Sequence, residues 1–107
     1  MAKSKGDYYK RRTKQWFIKN GYQCDYLEKL RMIPTSRGKI MIRQDVFGSD
    51  GVSMSKDEII FWNSKFGRNN ISSGKEEFKK FVWPSFVKRW LIVWTLRARD
   101  PEIIEVN

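Results

Sequence analysis

The chain contains no histidine and a single cysteine, Cys24, among its 107 residues. Structural and catalytic zinc sites are built largely from Cys and His, and Ser-His or Cys-His pairs are common nucleophilic centres. The sequence therefore excludes a Cys/His zinc site, an intrachain disulfide and a His-activated nucleophile. Cys24 lies in a short strand-like run and is interpreted as a buried or half-exposed structural thiol. Any catalysis by this chain must use carboxylates, lysine and a bound metal.

Long apolar runs are also absent, because no stretch approaches the roughly 18 residues that a membrane-spanning helix needs. We find no signal-peptide pattern and no lipidation motif. These absences predict an intracellular, cytoplasmic protein with no membrane partner. The length of 107 residues predicts a single domain covering the whole chain.

Acidic residues are few relative to basic ones. The 22 Lys and Arg residues face 12 Asp and Glu, which gives a net charge of +10. Residues 3–20 alone carry seven basic residues and one acidic residue. Such a surplus is typical of proteins that bind a polyanion, and we favour nucleic acid, DNA in particular, over a membrane surface. General solubility is the alternative interpretation of the charge.

The hydrophobic pattern predicts a helix, three main strands, a second helix and one or two further strands. The first helix covers residues 3–20 and ends at Gly21. Its less charged face has residues at helical spacing: Tyr9, Thr13, Trp16, Phe17 and Asn20. The predicted strands are 22–30, 39–47 and 58–63, with a short strand at 52–54, a turn at 34–38 and a hairpin turn at 55–57.

The second helix is predicted to begin at a capping box formed by Ser73 and Glu76 and to end at or kink near Pro84. Its apolar side contains Phe78, Phe81 and Val82. A continuous apolar run at 90–94 predicts a buried strand, and residues 101–106 predict an edge strand.

Aromatic residues form 15% of the chain. We expect five of them in the core: Trp16, Phe17, Phe81, Trp90 and Trp94. Trp62, Trp83 and Phe86 are expected to be less fully buried, and they are candidates for a dimer interface.

One constellation of polar residues has the chemistry of a metal site. Asp50 follows a Gly-Ser bend, and Asn63 and Lys65 lie on the same side of a predicted strand. Carboxylate, amide and carbonyl oxygens are the ligands that Mg²⁺ or Mn²⁺ takes, so Asp50, Asn63 and the carbonyl of Ser64 are candidate metal ligands. Lys65 would then orient or activate a water beside a phosphate. A strand that ends in solvated polar residues is the alternative.

The element order and these motifs resemble the PD-(D/E)XK, or restriction-endonuclease-like, nuclease superfamily. Within it, Asp45-Val-Phe-Gly-Ser-Asp50 is similar to segments of small phage and archaeal Holliday junction resolvases and VRR-NUC-like nucleases. The resemblance implies an α/β (α+β) fold of order αβββαβ, with a mixed central sheet flanked by helices. It also implies an Mg²⁺- or Mn²⁺-dependent endodeoxyribonuclease that hydrolyses DNA phosphodiester bonds, selects branched structures in DNA recombination and acts as a homodimer.

The chain departs from the family pattern at two positions. Asn63 stands where an acid or Gln is usual in the family. Many relatives carry a Glu on the first helix, and Lys10 occupies the best-matching position in this chain. Two other carboxylates are candidates to complete the metal site. Asp7 lies one turn before Lys10, and its alternative role is to stabilise the helix dipole. Asp45 is a candidate catalytic and metal-binding residue together with Asp50, Asn63 and Lys65, or else a partner of a nearby arginine.

The candidate DNA-binding residues are basic and lie mainly on the first helix: Lys5, Lys10, Arg11, Arg12, Lys14, Arg43 and Arg68. No base-reading motif is present, so we expect recognition of the phosphate backbone and of DNA shape. A DNA-binding module that keeps the nuclease fold without catalysis is the first alternative function. An RNA-binding basic domain is the second.

Overall fold

A mixed five-stranded sheet with one helix against each face forms the centre of the protein. A computed structural model describes the backbone of residues 5–107, and its description of side chains leaves out residues 5, 6, 28–31, 33 and 40–45. The helices are α1 (Lys5–Lys19) and α2 (Ile71–Lys79). The strands are β1 (Gln23–Tyr26), β2 (Glu28–Thr35), β3 (Gly38–Asp45), β4 (Gly51–Met54), β5 (Ile59–Phe66), β6 (Val87–Trp94) and β7 (Glu102–Glu105).

The main sheet has the strand order β1-β4-β5-β6-β7. Strands β5 and β6 are parallel, and the other neighbouring pairs are antiparallel. Parallel neighbours need a crossover, which α2 supplies between them. The predicted α+β fold with a mixed central sheet flanked by helices is confirmed at this level.

Alternation along β5 and β6 divides the core into two layers, because successive side chains of a strand point to opposite faces. On one face, Ile60 and Trp62 of β5 pack with Tyr9 and Phe17 of α1. On the other face, Leu91 and Val93 of β6 pack with Phe78 of α2, and Phe61 of β5 lies beside them. The face on which a β5 residue lies therefore decides which helix it meets.

The strands between α1 and β4 differ from the prediction. The predicted strand 22–30 divides near Leu27 between β1 of the main sheet and β2, and the predicted strand 39–47 corresponds to β3. Strands β2 and β3 form a separate antiparallel hairpin in which Glu28 pairs with Asp45 and Thr35 with Gly38. A two-residue turn brings β3 onto β2 with little loss of chain entropy, so the local pairing is favoured over addition to the main sheet.

The predicted capping box at the start of α2 does not form. The helix begins at Ile71, before Ser73, with Asn70 at the N-cap position and no side-chain capping bond. The Ser73 hydroxyl instead donates a hydrogen bond to the Asn70 carbonyl, 3.0 Å away. The helix ends at Lys79, before the Pro84 that was expected to stop it.

Of the five aromatic residues expected in the core, Phe17 and Trp94 are buried, and Trp16 and Trp90 are half-buried against the core. The prediction is wrong for Phe81 and for Trp62. Phe81 is exposed because it follows the end of α2. Trp62 is fully buried, because its side chain lies against Gly51 on the neighbouring strand β4. A Cβ atom at residue 51 would overlap the Trp62 ring, so glycine is required there for this packing.

The predicted structural role of Cys24 agrees with its half-buried position in β1. Burial raises the pKa of its thiol, and the Ser53 hydroxyl and Trp62 indole partly offset this effect. Between residues 5 and 107, neither helix combines the length and the apolar character that crossing a membrane requires.

Candidate functional site

Asp50 is held between β5 and the chain that follows β1. Its backbone N–H donates to the carbonyl of Trp62 at 2.8 Å, and its carbonyl accepts from the N–H of Leu27 at 2.9 Å. The residue is 3% exposed. These two backbone hydrogen bonds hold Asp50 in place directly before β4, beside β5.

The Asp50 carboxylate has partners on both of its oxygens. Oδ2 accepts hydrogen bonds from the backbone N–H of Ser64 at 2.8 Å and from the Ser64 hydroxyl at 3.2 Å. Oδ1 lies 3.5 Å from the ammonium nitrogen of Lys10 on α1. A nearly buried carboxylate needs such partners, because an unpaired charge in this environment is costly. Lys10 thus supplies positive charge at the carboxylate that was predicted to hold a metal.

Asn63 is 1% exposed, and its side chain stabilises the loop before Asp50. Its amide group donates a 2.7 Å hydrogen bond to the carbonyl of Gly48. Gly48 has φ 68°, and a Cβ there would lie 3.1 Å from the carbonyl oxygen of Glu77 on α2. Glycine at residue 48 therefore allows both the left-handed turn and the close approach to α2.

The predicted site residues of β5 are divided between the two faces of the sheet. Ser64 lies on the α1 face of β5 with Trp62, while Asn63 and Lys65 lie on the α2 face with Phe61. The Lys65 ammonium lies 4.0 Å from a carboxylate oxygen of Glu77 on α2. The structure thus brings together Asp50, Ser64 and Lys10 on one side, and Lys65 and Glu77 on the other.

The other predicted metal ligands are Asp7, the Ser64 carbonyl and Asp45. Asp7 is half-buried in the first turn of α1. Ser64 contacts Asp50 through its N–H and hydroxyl, whereas its carbonyl was the expected ligand. The side chain of Asp45 lies outside the described residues, so its place in the site stays a prediction.

The surroundings of Asp50 decide whether a divalent ion could bind there. Among the side chains that the structure describes, no three His, Cys, Asp or Glu residues come together as a metal-binding group. A metal on Asp50 would have to lie beside the Lys10 ammonium, where two cations repel each other, and it would compete with the bonds from Ser64. Among the described side chains, the Asp50 carboxylate is therefore occupied by Lys10 and Ser64, and an Mg²⁺ or Mn²⁺ site there stays a prediction.

Several predicted DNA-binding residues have partners within the protein. Lys14 lies 3.4 Å from a carboxylate oxygen of Asp25. The guanidinium of Arg12 stacks 4.3 Å from the centre of the Trp94 ring and donates to the carbonyl of Ala98 at 3.2 Å. Arg68 pairs with Glu102. Like Lys10, these side chains contact partners within the protein as well as carrying positive charge.

The remaining predicted DNA-binding residues are Arg11, Lys5 and Arg43. Arg11 is exposed on α1 and is placed to contact solvent or a ligand. The side chains of Lys5 and Arg43 lie outside the described residues, so their role in DNA binding stays a prediction.

Sequence reasoning missed Glu77 as a partner of Lys65. Glu77 was part of a helix with no site residue, yet it meets Lys65 because α2 packs on the face of β5 to which Lys65 points. The signal that could have found it is the βαβ crossover, which places α2 against odd-numbered positions of β5 once α1 covers the even-numbered ones.

No protein-family model matches the chain, and no curated protein matches it. Among solved structures, the chain is similar to the crystal structure of SSO0001, with a TM-score of 0.54 and 18% sequence identity over 95% of this chain. The chain spans about half of that protein, since the match covers 50% of it. Identity this low shows a shared fold alone, and a fold does not determine an activity.

Proposed function

We propose that this chain is a restriction-endonuclease-like domain that binds DNA without cleaving it. The observation that carries the proposal is the ion pair between Lys10 and Asp50, 3.5 Å apart. In this arrangement the carboxylate that a nuclease of this type would use for a metal is neutralised by an ammonium group from α1. The Ser64 bonds to the other oxygen give the carboxylate a structural role in joining β4 to β5.

Binding to DNA is supported by the charge of the chain. The net charge of +10 favours a polyanion, and cationic side chains release counterions when they bind phosphates. Many of these side chains are exposed on the described surface: Arg11, Lys19, Arg37, Lys39, Lys56, Arg68, Lys79, Lys80, Arg97 and Arg99.

The β2–β3 hairpin is a further surface of suitable shape. It is a two-stranded antiparallel ribbon, separate from the main sheet, and its sequence carries five basic residues and two acidic ones. A two-stranded ribbon fits the major groove of B-form DNA. Arg37 and Lys39 are exposed at its tip, where they are placed to contact phosphates.

The proposal is tested by measuring DNA binding and DNA cleavage in the same samples. We expect the wild-type protein to bind a duplex and a four-way junction, each with an affinity that is the same in EDTA, Mg²⁺ or Mn²⁺, and to leave both uncut. The variant Asp50→Asn should retain DNA binding, once circular dichroism shows that it is folded. Asp25→Asn, which removes an exposed carboxylate, is the matched control.

A second candidate function is the metal-dependent endonuclease implied by the family resemblance, acting as a homodimer on branched DNA. One observation favours it: Asp50 is nearly buried and fixed at the start of β4, as a ligand would be. This function requires Lys10 to leave Asp50. Metal-dependent nicking that is lost in Asp50→Asn and kept in Asp25→Asn would establish the nuclease and contradict our proposal. Stronger binding to double-stranded RNA than to DNA would instead support the RNA-binding alternative.

A further inference from the structure

An apolar cleft lies between the end of α2, the start of β6 and the loop before Asp50. It encloses about 260 Å³. The residues that line it are aromatic or apolar: Phe47, Phe61, Phe81, Val82, Trp83, Pro84 and Val87. We call Phe47, Phe81 and Trp83 the aromatic patch. The metal-site hypothesis gave these residues no role.

The aromatic patch presents rings to solvent. Phe47 is 53% exposed, Phe81 is 39% exposed and Val82 is 100% exposed. The Phe47 ring is edge-on to Phe81 at 5.6 Å and edge-on to Trp83 at 6.1 Å between ring centres. Exposed apolar patches of this kind on a small protein mark a surface that binds something.

The backbone also favours a binding role for Phe47. Its φ is 54°, in the left-handed region that bulky residues rarely adopt. The loop is held in this shape by the Asn63 bond to the Gly48 carbonyl. An unusual backbone conformation that the surrounding structure enforces is common at ligand sites.

Positive charge flanks the aromatic patch. Lys79 and Lys80 are exposed and directly precede Phe81. The guanidinium of Arg89 lies 5.8 Å from the centre of the Trp83 ring. Exposed aromatic rings beside cationic side chains are the combination by which proteins bind single-stranded nucleic acid, because rings stack on unpaired bases and cations contact the phosphates.

We propose that the aromatic patch binds unpaired bases of a nucleic acid. The inference rests on the proposed DNA-binding function and deepens it, because it gives the domain a preference for single strands, ends or junctions over plain duplex. A base in a duplex is stacked on its neighbours and does not offer its face to a protein ring, whereas an unpaired base does.

A second copy of the chain could also occupy the cleft. The positive charge beside the cleft disfavours such a dimer. In a two-fold dimer centred on the patch, both copies contribute this same surface to the interface. Lys79 and Lys80 of the two copies would then approach each other, and like charges repel. A nucleic acid strand instead brings negative phosphates to these lysines.

The test compares binding to a short fluorescently labelled single strand and to a blunt duplex of the same sequence. The variant is the double substitution Phe47→Leu and Phe81→Leu, which keeps apolar bulk and removes two rings. The matched control is Leu96→Ala, which removes an exposed apolar side chain at the opposite end of β6. Circular dichroism melting shows whether each variant is folded, and the single variant Phe81→Leu replaces the double variant if the latter is not.

We expect the wild-type protein to bind the single strand more tightly than the duplex. The ring-to-leucine variant should lose about tenfold or more in single-strand affinity and keep its duplex affinity. Leu96→Ala should leave both affinities unchanged. An equal affinity of wild type and ring-to-leucine variant for the single strand, with duplex binding intact, would overturn the inference while leaving the proposed function standing.

Two further results separate the inference from its alternatives. Absence of binding to either nucleic acid would contradict the proposed function and the inference together. Sedimentation velocity that shows a dimer of the wild-type protein, disrupted by Phe81→Ala with no change in single-strand affinity, would assign the patch to a second copy and overturn the inference.

Discussion

Lys10 and Lys14 are neighbours on one side of α1, one turn apart, and they have different roles. Lys10 meets Asp50, which is nearly buried and bonded to Ser64. Lys14 meets Asp25, which is exposed. An exposed ion pair contributes little to stability because water and salt screen it. A nearly buried carboxylate depends more strongly on its cation, since water screens and solvates its charge less.

We predict that Lys10→Ala destabilises the protein by roughly 1–3 kcal/mol, because it removes the ammonium group that lies 3.5 Å from the nearly buried Asp50 carboxylate. Lys14→Ala is the matched control and should change the stability much less. Urea unfolding monitored by tryptophan fluorescence measures both free energies of unfolding. Equal effects of the two substitutions would show that the Lys10 pair has no special structural role.

The parallel strands β5 and β6 are joined near their first residues by side chains as well as by the sheet. The Lys88 ammonium of β6 donates a 2.5 Å hydrogen bond to one carboxylate oxygen of Glu58, which directly precedes β5. The Tyr22 hydroxyl donates to the other oxygen at 2.8 Å. This cluster connects three elements at the end of the sheet away from Asp50.

The bonds from Lys88 and Tyr22 lower the pKa of Glu58 below its ordinary value of 4.5. A lowered folded-state pKa stabilises the protein above the unfolded-state pKa, and this contribution is lost as the pH falls through the folded-state value. We therefore predict that wild type is more stable than Glu58→Gln at neutral pH and that the difference shrinks below about pH 4.5. Thermal melts across the acid range measure it, and a constant difference would contradict the assignment.

The bond to Glu58 also raises the pKa of Lys88 and that of Tyr22. The stabilisation from a raised pKa is present below the unfolded-state value and is lost as the pH rises through the folded-state value. The difference in stability between wild type and Glu58→Gln should therefore also shrink in strongly alkaline solution.

For the whole molecule, net charge and fold have separate consequences. The charge of +10 is a property of the composition, and it favours association with polyanions in any fold. The fold decides which cations are available, because Lys10, Arg12 and Lys14 contact partners within the protein. The cations that remain on the surface include those at the hairpin tip and at the end of α2.

We predict that affinity for duplex DNA falls steeply as salt rises, because bound phosphates release counterions. About four phosphate contacts correspond to roughly a hundredfold loss between 50 and 200 mM salt. The double variant Lys79→Gln and Lys80→Gln should reduce the slope of log affinity against log salt by about one for each contact that is lost. Fluorescence anisotropy over a salt series measures the slope, and an affinity that does not change with salt would contradict phosphate binding.

The sequence by itself determined the kinds of elements, since helical and strand periodicities are local properties of the chain. It predicted α1 and its stop at Gly21, where φ is 90°, and it predicted β5, the buried part of β6 and the 55–57 turn. It also determined the charge and the absence of histidine chemistry. These conclusions need no knowledge of which residues meet in space.

Only the tertiary structure decided which strands pair and which residues meet. The second predicted strand pairs in a separate hairpin, because a short turn makes that partner the nearest one. Strand alternation predicted that Asn63 and Lys65 share a face of the sheet. Only the packing of the helices decided that α2, and not α1, covers this face. Lys10 and Asp50 are far apart in sequence, and their meeting depends on α1 docking against the sheet. A motif can therefore indicate candidate residues, whereas non-local packing decides which of them act together.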